Sequence, residues 1–429
     1  MKQSNYHPVP PIRRSVVRDI LAFHNRPDMI PFAGGLPDPT TLPVAEMARA
    51  AQYVLSRQGA AALQYGKSEG FEPLRSYIAG YLTGRGFPSN PDQILITSGS
   101  QQGMDLISRW LLRPGDSVFT TEPLYNGALQ NFDAHQANIH PILSDDEGPC
   151  EAALLAALHP TRPAIGGGFF SLSRRVSNDG GPGLLYLQPT LANPTGSVIS
   201  NHRRQIIGKA LHRFQGWMLE EDPYGELLFD SERPNFISSY HPARSVLLGS
   251  FSKIVSPSLR IGWVRAPETA IQSLLPLKQS MDLHTNLFSQ MMLHRFLEDV
   301  DLTRHLDSVR TIYARKQQIT LEALRRYNLQ GRFQGEFLAP GGGMFLWLRT
   351  EVDSDALARV ALDRGVAVVP GSAFFSNPED GKSFIRLNYT AVDTQSIELG
   401  VQRLAQAYRD LSQKQNQQTK KGQLSVASV

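Results

Sequence analysis

The sequence predicts an α/β fold with a large, mostly parallel sheet domain, helices on both of its faces, and a smaller α+β domain. From about Met47, helical patterns alternate with short apolar runs, as in a parallel sheet with crossover helices. Beyond about Leu297 the rhythm changes to long helical stretches mixed with isolated strand-like runs. A chain of 429 residues is long enough to form two hydrophobic cores.

These patterns divide the chain into four parts. We expect an N-terminal segment, 1–43, that contributes to the small domain and the active site, a large domain, 44–296, a small domain, 297–412, and a tail, 413–429. The tail is polar and is expected to be disordered, and the Gly-, Ser- and Arg-rich segment 166–183 is expected to be an exposed insertion. The small-domain elements are predicted helices at 304–327 and 394–411 and strands at 344–348, 366–369 and 384–389.

The composition is that of an ordinary soluble protein. Hydrophobic residues make up 41% and charged residues 19%, and the net charge is +4. Lys and Arg are scattered among acidic residues, so we expect no nucleic-acid binding. The first residues lack the apolar core of a signal peptide, and no run approaches a membrane span, which favours the cytoplasm. The single cysteine, Cys150, excludes an internal disulfide, and no metal site is predicted.

Four apolar runs of the large domain stop in polar clusters. In open α/β sheets, ligands bind outside the carboxyl ends of the strands. The four clusters are therefore expected to meet in one site. They are Thr97–Gln102, Asn193–Gly196, Glu220–Tyr224 and Gly249–Lys253.

A phosphate site is predicted within these clusters. Ser100 and Gln101 stand between a strand and a helix, so their backbone N–H groups would lie at a helix N-terminus, where anions bind. Ser250 and Ser252 add hydroxyl donors, and Arg260 adds a guanidinium that can make two parallel hydrogen bonds. Each residue alone has an ordinary explanation, such as a helix cap for Ser100, but together they indicate an anion site.

The run Ser250–Gly262, with its lysine at position 253, resembles the lysine signature of the class I aminotransferases of fold type I, which are pyridoxal-phosphate enzymes. The resemblance extends from about Arg18 to Arg409. Within that class the chain is most similar to the 2-aminoadipate and kynurenine aminotransferase group, through Phe32–Pro37, Leu63–Tyr65, Ser98–Gly103 and Glu122–Tyr125.

The resemblance implies that Lys253 carries pyridoxal 5'-phosphate as a Schiff base and moves the α-proton of the substrate. A lysine amine forms a Schiff base only when it is neutral, and we expect Arg260 and partial burial to lower its pKa. The implied reaction transfers the amino group of an L-amino acid to a 2-oxo acid such as 2-oxoglutarate. The implied donors are 2-aminoadipate, aromatic or branched-chain amino acids.

The resemblance also implies contacts to the cofactor ring. Asn193 and Tyr224 match the partners of the phenolic O3′ oxygen. The acid that faces the pyridine nitrogen stands three residues before this tyrosine, which is Glu221 where the family usually has aspartate. Either Glu221 or Asp222 takes this role; we favour Glu221, because a carboxylate of either length can pair with a pyridinium.

Five further residues have roles implied by the resemblance. Tyr125 matches the aromatic residue that stacks on the ring, and Tyr65 matches one that reaches the phosphate of the partner subunit, which implies a homodimer with shared sites. Arg386 matches the arginine for the substrate α-carboxylate, and its fork of donors suits that group. Gly35 is expected at the substrate, and Arg18 falls where bacterial 2-aminoadipate enzymes bind a distal carboxylate.

Two other functions remain alternatives at this point. The unusual glutamate leaves open a β-lyase or an oxidase built on the same fold. Some bacterial regulators join an aminotransferase-like domain to a DNA-binding module, but that module needs roughly 60 residues ahead of the large domain. Only about 30 precede Phe32, without a basic recognition-helix pattern, which disfavours a regulator.

Overall fold

The structure is a computed structural model that describes residues 13, 15, 19–20, 26, 28–159, 183–229, 232–327, 329 and 339–426. Arg18 lies outside the described residues, and so does the expected insertion except for Gly183.

The strands are β1 Ile30–Pro31, β2 Ile94–Thr97, β3 Ser117–Thr120, β4 Asn138–Pro141, β5 Ser144–Asp145, β6 Gly148–Pro149, β7 Leu184–Leu187, β8 Trp217–Glu221, β9 Ser245–Ser250, β10 Gly262–Arg265, β11 Phe345–Arg349, β12 Val366–Ala367, β13 Val369–Pro370 and β14 Phe384–Asn388.

The α-helices are numbered over the same described residues. They are α1 Val44–Ala62, α2 Glu72–Gly84, α3 Ser100–Leu111, α4 Asn126–Ala134, α5 Glu151–Leu158, α6 Asn201–Leu211, α7 Glu268–Asp282, α8 Leu287–Asp299, α9 Leu302–Arg326, α10 Ser354–Asp363 and α11 Thr394–Val426.

The main sheet has seven strands in the order β2-β10-β9-β8-β7-β3-β4. Every neighbouring pair from β9 to β4 is parallel, and β10 runs antiparallel to both β9 and β2. Strands β2, β7, β8 and β9 therefore run in one direction and end at the same edge. This architecture confirms the predicted fold class.

Both faces of the main sheet are buried, as the apolar runs in its strands require. Successive residues of a strand point to opposite faces. Leu184 and Tyr186 of β7 pack with residues of α3, α4 and α7, whereas Leu185 and Leu187 pack with residues of α5 and α6. The helices therefore cover both faces and leave the strand ends free to form a site.

The C-terminal part contains a separate three-stranded sheet, β11-β14-β13, packed against α9, α10 and α11. Residues from the N-terminal segment join this core, since Ile30 pairs with Val366 and Phe32 is fully buried in the same cluster. Asp38 then forms a buried ion pair with Lys316 of α9, at 2.6 Å. The segment that follows β1 is thus attached to the small domain; the division at residues 44 and 297 stays a prediction.

The final helix differs from the sequence-based expectation. It continues to Val426, whereas the composition predicted an end near Leu411 and a disordered tail over 413–429. The expectation relied on polarity alone, although Gln and Lys are good helix formers and an existing helix extends more easily than a new one forms. None of the helices in the described ranges is long and apolar enough to cross a membrane.

Candidate active site

Lys253 lies in the turn that follows β9, and its Nζ donates a 2.6 Å hydrogen bond to the carbonyl oxygen of Gly35. Burial, followed by the positive charges of Arg386 and Arg260, lowers the pKa of Lys253 to about 8. The sequence predicted a lowered pKa from Arg260 together with partial burial; the largest cause is the loss of water around the amine, and Arg386 contributes more than Arg260. At this pKa about a tenth of the amine is neutral at pH 7, far more than for an ordinary lysine.

Arg386 of β14 lies opposite this lysine with only 2% of its surface exposed. Its Nη1 donates to Asn193 Oδ1 at 2.8 Å and its Nη2 donates to the carbonyl oxygen of Ala33 at 2.5 Å. The guanidinium lies over the ring of Phe345, 4.3 Å from its centroid. Its Nε is buried and has no hydrogen-bond partner among the described residues, so one donor is available for a bound anion.

The predicted phosphate residues lie around the turn between β2 and α3. Gly99 precedes the helix with φ of 82°, and a Cβ at this position would stand 2.6 Å from Nη2 of Arg260. A Cβ on Gly262 would stand 2.5 Å from the backbone of Gly99. The close approach of these segments therefore needs glycine at both positions. Ser250 and Ser252 are buried beside them, and the backbone N–H of Ser252 donates to Ser250 Oγ.

A buried lysine, Lys278 of α7, fixes the same turn. Its Nζ donates to Gln102 Oε1 at 2.9 Å, to Thr285 Oγ1 at 2.9 Å and to the Asp282 carboxylate at 2.7 Å. Gln102 Oε1 also accepts from the backbone N–H of Ser98 at 2.8 Å. Sequence reasoning missed Lys278, because a lysine within a helical pattern is usually exposed.

Glu221 and Asp222 point in opposite directions. Glu221 faces the strand ends, where its Oε2 accepts from Tyr186 Oη at 2.6 Å and from Gln188 Nε2 at 2.8 Å. The Ser100 side chain also hydrogen-bonds to Glu221. Burial raises the pKa of Glu221, while these hydrogen bonds act in the opposite sense and favour the ionised form.

Asp222 faces away from these partners. Its Oδ1 accepts from the backbone N–H of Gly225 at 2.9 Å, and the side chain lines a small cavity with Tyr77 and Trp263. Burial and the neighbouring charge of Glu220 raise the pKa of Asp222 to about 7. Of the two acids that the sequence left open, only Glu221 faces the other site residues.

Two tyrosines complete the described site. Tyr224 is buried, hydrogen-bonds with Asn193, and meets the ring of Phe345 edge to face at 5.8 Å. Burial raises the pKa of Tyr224, so its hydroxyl stays protonated. Tyr125 precedes α4, and its Oη lies 3.5 Å from Gln101 Oε1. The structure thus places Tyr125 beside the predicted phosphate turn.

Tyr65 lies apart from this cluster within its own chain. It is 77% exposed, and its ring meets His284 edge to face at 5.8 Å. Leu63, two residues before Tyr65, is 72% exposed. Leu283, which precedes His284, is 47% exposed. A site within one protomer therefore does not include Tyr65.

The described residues fit the cofactor that the resemblance implies. They include a lysine with a lowered pKa and a buried arginine, which suit a Schiff base and a carboxylate. They also include a turn with backbone N–H and hydroxyl groups, which suits a phosphate, and the buried carboxylate of Glu221, which suits a ring nitrogen. Among the described residues, no group of three or more His, Cys, Asp or Glu could hold a metal ion.

Several proteins similar to this chain in sequence and fold are aminotransferases. The family model described as "Aminotransferase class I and II" matches residues 27–404. A 2-aminoadipate transaminase of Thermus thermophilus is 35% identical over 408 residues, which are 93% of this chain and 95% of that protein. Aromatic-amino-acid aminotransferase 1 of Thermococcus litoralis is 34% identical, over 93% and 92% of the two chains.

A solved structure gives the same result for the fold. The crystal structure of alpha-aminoadipate aminotransferase from Thermus thermophilus, complexed with N-(5'-phosphopyridoxyl)-L-leucine, superposes with a TM-score of 0.81. It is 33% identical and covers 93% of this chain and 96% of its own.

Proposed function

Since this chain belongs to the class I and II aminotransferases, we propose which of its residues hold the cofactor and which substrates it uses. It is a pyridoxal-phosphate-dependent aminotransferase. The observation that carries the proposal is the Lys253 amine, with a pKa of about 8, placed against Gly35 and facing the charge of Arg386. When bound, the cofactor supplies the electron sink for the reaction, and the protein supplies orientation and charge.

The cofactor would be held at its two ends and on one face. We assign the phosphate to the backbone and side-chain donors of Ser100, Gln101, Ser250, Ser252 and Arg260. We assign the ring to Tyr125 on one face, Asn193 and Tyr224 at the phenolic oxygen, and Glu221 at the pyridine nitrogen. The direction of Glu221 toward Ser100 supports this assignment over one through Asp222.

Lys253 would attach the cofactor and transfer the α-proton of the substrate. Its lowered pKa supports both tasks, because each needs an amine that is neutral for part of the time. Arg386 would hold the α-carboxylate beside Gly35. Burial lowers the pKa of Arg386 only to about 10, so the guanidinium remains charged at neutral pH, and its free Nε offers a further donor.

We propose 2-oxoglutarate as the amino acceptor and 2-aminoadipate, aromatic or branched-chain amino acids as donors. The named substrates of the two relatives from Thermus and Thermococcus support the first two donor classes. An aromatic wall formed by Trp347 and Phe384, stacked at 5.1 Å, lines the cleft beside Gln188. A cytoplasmic location remains a prediction.

The test uses the purified holoenzyme and one donor at a time. We expect 2-aminoadipate or an aromatic donor to convert the bound cofactor to its pyridoxamine form, seen as an absorbance change, and 2-oxoglutarate to reverse it. Glycine and D-2-aminoadipate serve as matched controls. No conversion with any donor, or release of ammonia with pyruvate without the pyridoxamine form, would contradict the proposal.

We further propose a homodimer in which Tyr65 reaches the phosphate of the partner subunit. Large apolar side chains seldom remain exposed together. Leu63 and Tyr65 are both exposed, and the Tyr65 ring contacts His284, whose neighbour in sequence, Leu283, is exposed as well. Mixing Tyr65→Ala and Lys253→Ala proteins should restore activity, because one site of each hybrid dimer keeps both residues. A monomer by light scattering, or mixtures as inactive as each parent, would contradict it.

A further inference from the structure

We propose that Tyr186 is a positioning residue that holds the carboxylate of Glu221 toward the cofactor ring, so that this site uses a glutamate–tyrosine pair. The inference rests on the proposed function, which places Glu221 at the pyridine nitrogen. This pair is additional to the roles that we assign to Lys253, Arg386 and the phosphate turn.

Strand register brings the two residues together. In the parallel pair β7–β8, Tyr186 lies beside Leu219 and Leu187 lies beside Glu220. Tyr186 and Glu221 therefore project from the same face of the sheet. The 2.6 Å hydrogen bond from Tyr186 Oη joins them directly.

The tyrosine is held rigidly and can only donate. Its side chain is completely buried, and its ring meets Phe132 edge to face at 5.5 Å, so the hydroxyl cannot turn toward water. Burial and the charge of Glu221 raise the pKa of Tyr186 well above its usual range. The hydroxyl thus keeps its proton and presents it to the carboxylate.

The carboxylate is engaged on one oxygen by two donors. Tyr186 Oη and Gln188 Nε2 both donate to Glu221 Oε2. The Ser100 side chain is a further hydrogen-bond partner of Glu221, and together these contacts fix the direction of the carboxylate. The other titratable groups that influence this region are Tyr125 and Tyr224, both of which act on Tyr186 electrostatically.

The extra methylene of glutamate explains why a tyrosine is needed. A buried carboxylate is driven toward its neutral form unless hydrogen bonds favour the charge, and a neutral acid cannot hold a proton on the pyridine nitrogen. An aspartate at position 221 would withdraw its oxygens by about 1.5 Å, the length of one carbon–carbon bond. The contact with Tyr186 would then be lost, so the tyrosine hydroxyl should matter only when residue 221 is glutamate.

The test is a double-mutant cycle on the holoenzyme with Tyr186→Phe, Glu221→Asp and both together. Three quantities are measured: the Kd of pyridoxal phosphate after dilution, the pH midpoint of the absorbance of the bound cofactor, and kcat and KM. We expect Tyr186→Phe to raise the Kd about tenfold, to move the midpoint by about one pH unit, and to lower kcat at nearly constant KM. In the Glu221→Asp protein the same substitution should change Kd and kcat less than twofold and move the pH midpoint by less than about 0.3 unit.

Two controls separate positioning from packing. Phe132→Leu disturbs the same ring but keeps the hydroxyl, so it should lower thermal stability without moving the pH midpoint. Tyr186→Phe should unfold at nearly the same temperature as the parent. Equal effects of Tyr186→Phe in both backgrounds, or an unchanged pH midpoint, would overturn the role of Tyr186 alone. Failure of the parent protein to bind pyridoxal phosphate would instead overturn the proposed function.

Discussion

Lys253 Nζ and the carbonyl oxygen of Gly35 are joined by a 2.6 Å hydrogen bond across 218 positions of sequence. Lys253 follows β9 of the seven-stranded sheet, whereas Gly35 lies shortly after Ile30 and Phe32, which are buried in the core around β11 and β14. Asp38, three residues later, is tied to α9 through Lys316. The amine of the site is therefore in contact with a segment that the small domain carries.

The pKa of about 8 for Lys253 predicts how its reactivity depends on pH. The neutral amine is the reactive form, so its fraction rises about tenfold per pH unit below pH 8 and levels off above it. We expect the rate at which the cofactor-free protein captures pyridoxal phosphate to follow this curve. A midpoint near 10.5, the usual value for lysine, would show that burial does not act on this amine.

Replacing Arg386 by lysine should weaken substrate binding while the charge is kept. Lysine cannot reproduce the planar fork that donates to Asn193 and Ala33. We expect KM for amino donors to rise by about 10²-fold, because the loss of charged hydrogen bonds should cost about 2–3 kcal/mol of binding free energy. Uptake of pyridoxal phosphate should be nearly unchanged, which separates this residue from those that hold the cofactor. An unchanged KM would argue against a carboxylate at Arg386.

Gly99→Ala should weaken cofactor binding through a direct clash. Its Cβ would stand 2.6 Å from Nη2 of Arg260, at a residue with φ of +82°. Gly115→Ala is the matched control, because Gly115 has φ of +90° but nothing within 4 Å of the added Cβ. Both substitutions should cost about 1–2 kcal/mol of unfolding free energy, but only Gly99→Ala should raise the Kd of pyridoxal phosphate. Equal Kd values would exclude a role for this turn.

Lys278→Met should destabilise the protein and loosen the phosphate turn. It would leave Gln102 and the Asp282 carboxylate, which is 27% exposed, without their ammonium partner, so we expect a loss of about 1–3 kcal/mol of unfolding free energy. Denaturant unfolding measures this change. Lys382→Met removes a lysine that pairs with Glu379 at the surface and should leave both stability and cofactor affinity unaltered. A Lys278→Met protein as stable as the parent would contradict the structural role assigned to this lysine.

The sequence predicted the sheet, the convergence of four strand ends and the residues around Lys253, because each depends on local patterns. Choosing between Glu221 and Asp222 needs the direction in which each side chain leaves β8, and a shift of one residue reverses that direction. The contact of the Tyr186 hydroxyl could not be predicted for the same reason, because its partner depends on the register between β7 and β8. The extent of α11 was wrong because polarity alone does not stop a helix.

The amide of Gln188 connects both ends of the site. Its nitrogen donates to Glu221 Oε2, and its oxygen accepts from the backbone N–H of Asn193, whose side chain in turn accepts from Arg386. Glu221 and Arg386 are therefore linked by a chain of hydrogen bonds that runs through Gln188 and Asn193. We therefore expect the effect of a substitution at position 221 on substrate binding to depend on the residue at position 188, because Gln188 hydrogen-bonds to both Glu221 and Asn193.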